Sequence, residues 1–174
     1  MKRFSDEKEQ PKDTEKESME LAALLGGPPQ PELRLTGIYG DVSEDKCSEA
    51  VYGLFAVYDA MRSIRDKTPV HTMGLGKVMS AGVLLLAAGT KGQRKIGSTC
   101  RVMIHGVVAG QQGYISDMQN EFSETKYIQK MYIKSLARET NMEEKYVRRL
   151  MNRKANVYID AEEAVKLGIA DIIF

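Results

Sequence analysis

From Val83 to Ala88 the chain reads VLLLAA, apolar around the whole circumference of a helix. Such a helix has no face to offer water and must be enclosed by other elements. The segments around it supply candidates. "TPVHTMGLG" (68–76) reads as a strand leading into it, and "SAGVLLLAAG" as the buried helix itself, closed by Gly89. "RVMIHG" (101–106) reads as a further strand, and "LRLTGIYGDV" (33–42), with Leu33, Leu35 and Ile38, as the first one. Strands alternating with helices predict an α/β domain with a mainly parallel sheet.

The remaining helices follow from periodicity. Ser43 reads as an N-cap, with Glu44 and Asp45 where a helix dipole favours acid. Cys47, Val51, Leu54, Phe55, Tyr58 and Met61 then form one apolar stripe running to about Ile64, which makes Cys47 a core residue. After the glycine-rich passage to Gly113, the residues Ile115, Met118, Phe122, Ile128, Tyr132 and Leu136 mark a long, largely polar helix. Two short helices follow, at about Met142–Met151 and from Asp160 to Gly168, the second opened by a capping pair of Asp160 and Glu163.

Residues 1–20 carry five basic and seven acidic side chains with almost nothing apolar, too little to offset the entropy of ordering. The prolines of "GGPPQP" (26–31) stop any short helix begun in "MELAALL". The expected organisation is an N-terminal arm over 1–32, disordered or removed by processing, and one folded domain over 33–174.

A net charge of +1 gives no electrostatic reason to expect nucleic acid or an acidic membrane as partner. The longest apolar run is far short of the ~20 residues that cross a bilayer. Two cysteines without metal-ligand spacing suit a reducing compartment, so a cytoplasmic protein with no metal and no cofactor is expected.

In parallel α/β folds the reactive groups collect at strand C-terminal ends and helix N-termini. Ser80 lies at such a junction. It can be read as an N-cap, or as a nucleophile whose following amide, on Ala81, faces a developing oxyanion while the helix N-terminus favours negative charge. Ala81 and Gly82 are small enough to let a substrate backbone approach. A serine nucleophile needs a base. Of two histidines, His71 sits within the strand before Ser80 and reads as structural, whereas His105 ends the next strand and would share the edge occupied by Ser80.

These residues carry a resemblance. "MSAGVLLLAAGTKGQR", then "CRVMIHG", with "FAVYDAMRSI" before them and "AEEAVKLGIAD" after, resembles the Clp protease proteolytic subunit family over about residues 33–174. The resemblance implies the Clp protease/crotonase-like fold, a spiral of β-α units with a mainly parallel sheet and a projecting long helix. It implies Ser80 as nucleophile, His105 as general base and the Ala81 backbone amide as oxyanion donor. It further implies a homo-oligomeric, stacked ring, with the long helix at the contact between rings, that cleaves unfolded polypeptides fed by an ATP-driven unfoldase. No Gly-x-x-x-x-Gly-Lys-Ser/Thr loop occurs here, so ATP use would belong to that partner.

Two departures bear on activity. The third triad position falls on Asn156, where the family has an aspartate; asparagine can accept from the histidine Nδ1–H but cannot stabilise imidazolium by charge. Asp160 is a nearby carboxylate, read here as a helix cap. The family also carries an extra strand and a glycine-pair loop before "AVYDAM", which supplies the second oxyanion amide; "GDVSEDKCSEAVYGLFAVYDAM" runs straight into helix instead. A catalytically weak or inactive structural subunit is therefore the second reading. An acyl-CoA hydratase or isomerase of the related fold is the third, and it lacks an acid/base carboxylate at the Ser80 or His105 strand ends.

Overall fold

The computed structural model describes residues 47–110, 112–153 and 155–174. The expected arm over 1–32, the strand at 33–42, the Ser43 cap and the predicted start of the domain lie outside these residues.

Helix α1 (Cys47–Ile64) buries Leu54, Phe55 and Tyr58 and half-buries Met61, following the predicted stripe from Leu54 onward; the side chains of Cys47 and Val51, and with them the core reading of Cys47, lie outside those described. Strand β1 (Thr72–Gly74) pairs in parallel with β3 (Arg94–Ile96), which pairs in parallel with β6 (Ile172–Ile173). Strand β2 (Lys77–Met79) pairs in parallel with β4 (Arg101–Ile104), and β4 pairs antiparallel with β5 (Val157–Ile159). The result is two small, mostly parallel sheets.

The strand predicted over 68–76 is thus corrected to β1 followed by β2. Gly76, at φ 62°, turns the chain from one sheet into the other. Gly74 beside it lies where an added Cβ would come within 2.9 Å of Val78 Cγ2.

Helix α2 (Ala81–Ala87) is the enclosed helix: Val83, Leu84 and Ala87 have no exposed surface. It packs against α1, β1 and β2, and against α3 (Ile115–Glu139). Gly89 does not close α2. Ala88 takes the C-cap position with ordinary right-handed geometry, and glycine is needed at 89 because a Cβ would collide with Thr72 Oγ1.

Helix α3 spans about 37 Å at 1.5 Å per residue. Its C-terminal half is buried through Ile128, Tyr132, Ile133 and Leu136, while Tyr114, Ile115 and Phe122 at the other end are exposed. Helix α4 (Glu144–Met151) and α5 (Ala161–Lys166) complete the fold. The Asp160 carboxylate accepts from Glu163 N–H at 2.8 Å, as the capping pair predicts.

One buried cation ties the helix ends together. Arg94 Nη1 donates to the carbonyls of Ala87, Glu139 and Gly168 at 3.1, 2.8 and 2.8 Å. These oxygens close α2 and α3 and follow α5, where unpaired carbonyls concentrate negative potential. Asp171 balances the charge, accepting from Arg94 Nε at 2.8 Å.

Candidate active site

Ser80 lies between β2 and α2, and two backbone bonds define its conformation. Its N–H donates to Met103 O at 2.9 Å, extending the β2–β4 ladder by one residue, and its carbonyl accepts from Val83 N–H at 3.0 Å in the first turn of α2. A residue that ends a strand ladder and opens a helix without an intervening loop must turn sharply. Ser80 does so at φ 51°, ψ −117°, and among the described residues no other non-glycine has a positive φ. Such a conformation costs on the order of 1–3 kcal/mol and collects at functional sites.

The hydroxyl makes no capping bond to α2. The N-cap reading of Ser80 is therefore satisfied in position but not in bonding, and Oγ is left without that structural task. The Ala81 N–H, first amide of α2, has no intrahelical carbonyl to bond, and Ala81 and Gly82 are half-buried around it.

Strand register brings three residues to one sheet edge. Met79 is level with Met103 across the parallel β2–β4 pair, so Ser80 falls beside Ile104, one residue before His105. Ile104 is level with Val157 across the antiparallel β4–β5 pair, so His105 falls opposite Asn156. His105 is half-buried and Asn156 exposed. Among the described residues no hydrogen bond joins the Ser80, His105 and Asn156 side chains.

The other candidates separate. His71 precedes β1, at the strand's N-terminal end in the other sheet, and is exposed, so it lies outside the strand predicted to contain it. Asp160 follows β5 at the end remote from Asn156 and is engaged by Glu163.

One neighbour carries no distinguishing signal in the sequence. Tyr132, on the core face of α3, donates its hydroxyl to Ser80 O at 2.8 Å, and burial pushes its phenol well above the ordinary tyrosine value, so it stays a donor. In sequence it counts only as one apolar step in a helical stripe. The available signal is that a buried tyrosine hydroxyl requires a partner.

Among the described residues no group of three or more His, Cys, Asp or Glu side chains is placed to hold a metal ion, and no helix is long and apolar enough to cross a membrane. The chemistry on offer at this edge is that of a hydroxyl, an imidazole and a free helix-terminal amide, a set suited to acyl transfer.

Comparison with known proteins points the same way. The family model for Clp protease matches residues 50–174. The chain is 37% identical over 122 residues to the ATP-dependent Clp protease proteolytic subunit 2 of Corynebacterium jeikeium, covering 70% of this chain and 56% of that protein. It is 32% identical over 124 residues to proteolytic subunit 1 of Prochlorococcus marinus, covering 71% and 61%, and 35% identical over 121 residues to the subunit of Deinococcus radiodurans, covering 70% and 57%. The chain thus spans less than two thirds of the length of these relatives. With a match over most of its length, and with the strand-to-helix serine and the strand-end histidine in the matched region, this chain belongs to the Clp protease family.

Proposed function

We propose that this chain is a Clp-like serine endopeptidase subunit of low intrinsic turnover, acting on unfolded polypeptide within a cytoplasmic homo-oligomeric ring. The observation that carries the reading is Ser80: a non-glycine residue held at positive φ, its hydroxyl unused as a cap, at the sheet edge where His105 follows the last residue of β4.

In the reaction Ser80 Oγ adds to the scissile carbonyl carbon while its proton passes to His105 Nε2. The carbonyl π electrons move onto oxygen, which the Ala81 N–H stabilises. As the intermediate collapses, His105 returns the proton to the leaving amine. Water then hydrolyses the acyl-enzyme by the same steps. Asn156, opposite His105 by register, orients the imidazole through its amide oxygen but supplies no negative charge.

The relatives are named ATP-dependent proteolytic subunits. On that basis an ATP-driven unfoldase is the proposed partner, and the exposed end of α3 the proposed contact in a stacked ring.

Asn156 favours a second reading, a subunit that contributes architecture and little or no catalysis. A fluorophosphonate probe distinguishes them. Covalent labelling at Ser80, lost in Ser80→Ala and diminished in His105→Ala, supports the peptidase; a folded, assembled chain that takes no label supports the structural subunit.

A further inference from the structure

The Ser80 carbonyl and the Ala81 N–H belong to one peptide unit, so they lie in one plane and point in opposite directions. The torsion that sets this plane is Ser80 ψ, held at −117° beside a positive φ, a combination that a serine does not adopt unaided. On the carbonyl side the plane meets two donors, Val83 N–H from within α2 and the Tyr132 hydroxyl from α3.

The Val83 bond belongs to the helix turn and moves with it. The Tyr132 bond is different in kind, because it comes from a separate helix whose own position is fixed by buried neighbours Ile128, Ile133 and Leu136. It therefore references the peptide plane to the body of the protein. At the opposite edge of that plane is the Ala81 N–H, the donor on which the proposed reaction depends.

We propose that Tyr132 is a positioning residue for the oxyanion donor: by donating to Ser80 O it fixes the Ser80–Ala81 peptide plane and aims the Ala81 N–H at the substrate carbonyl. A carbonyl that accepts a hydrogen bond also polarises its own amide, so the same contact strengthens Ala81 N–H as a donor. The inference rests on the peptidase reading and adds to it a residue that touches neither substrate nor the reacting atoms.

Tyr132→Phe keeps the ring in the core and removes only the hydroxyl. The test compares it with the parent chain in three measurements: rate of fluorophosphonate labelling, affinity for a peptide aldehyde whose hemiacetal oxygen occupies the oxyanion position, and affinity for an uncleaved peptide of the same sequence. The expected result is about tenfold slower labelling and about tenfold weaker aldehyde binding with unchanged binding of the uncleaved peptide, less than the 10²–10³ lost when an oxyanion donor is removed outright. A tyrosine that merely packs would lower the thermal midpoint and leave the ratio of aldehyde to peptide affinity unchanged, and that outcome overturns the proposal. If the parent chain takes no label, the peptidase reading fails separately. A crystal structure of Tyr132→Phe then decides: rotation of the Ser80–Ala81 plane supports the positioning role, and retention of φ 51°, ψ −117° overturns it.

Discussion

Arg94 reaches the Glu139 carbonyl at 2.8 Å, so the long helix α3 ends on a buried guanidinium that also holds the Ala87 and Gly168 carbonyls. Removing that side chain strands three acceptors and leaves Asp171 without its counter-charge. Asp171 is partly exposed, so the larger cost is the unpaired buried acceptors, for which about 1–3 kcal/mol is typical. Arg94→Met is expected to destabilise the domain by an amount in that range, read from denaturant midpoints, and a loss under about 1 kcal/mol would show that water replaces these bonds readily.

Acid sensitivity follows from two carboxylates in the same region. Burial would raise Glu139, yet hydrogen bonds from Arg65 at 2.7 and 3.2 Å and from Tyr58 at 2.8 Å hold it below the usual carboxylate range. The hydrogen bond from Arg94 lowers Asp171 in the same direction, against a smaller effect of burial. A carboxyl depressed in the folded state binds protons more readily when unfolded, so its contribution is complete above the unfolded pKa and is lost as pH falls through the folded one. Stability should be level with respect to these groups from about pH 6 upward and fall below about pH 5. Glu139→Gln should flatten the acid limb; an unaltered limb would assign the acid transition to other groups.

Self-association is expected at the exposed end of α3. Tyr114, Ile115 and Phe122 there are 82%, 77% and 60% exposed, and a groove of about 380 Å³ runs between Ala109, Ile115, Met118 and Phe122. Apolar groups gathered in this way mark interaction sites on soluble proteins. Light scattering at micromolar concentration should give a mass well above 19.4 kDa, and Phe122→Asp should reduce it. A monodisperse monomer would count against a ring.

Helix α3 was legible from the stripe Ile115 to Leu136, because a helical period sustained over most of a 25-residue element outweighs local noise. The enclosed helix α2 was legible too, since VLLLAA admits only burial. Strands β3, β5 and β6 were not: each is two or three residues long and, in "RKI" or "VYI", shows no alternation to read. Pairing of Ile104 with Val157, which sets Asn156 opposite His105, is a long-range fact that no local pattern carries. Ser80 and His105 stood out because chemistry-bearing side chains interrupt apolar surroundings. Tyr132 did not, because on a helical stripe a tyrosine destined for a backbone carbonyl looks the same as one that only packs.

The last expectation concerns turnover. Replacing the aspartate of a serine-protease triad by asparagine lowers kcat by about 10⁴ where the charge and tautomer both matter, and loss of one oxyanion donor costs about 10²–10³. Both act on charge separation in the tetrahedral intermediate, so their effects need not add. In this chain α1 is one continuous helix from Cys47 to Ile64, across the stretch into which the family's glycine-pair loop would lead. The purified chain should therefore hydrolyse a small fluorogenic peptide slowly or undetectably while Ser80 still reacts with a fluorophosphonate. Asn156→Asp should raise turnover by less than about tenfold, because the imidazolium gains its counter-charge but the oxyanion gains no second donor. Rapid peptide hydrolysis abolished by Ser80→Ala would mean that another backbone amide, with Gly74–Gly76 the nearest candidate segment along the chain, completes the oxyanion site.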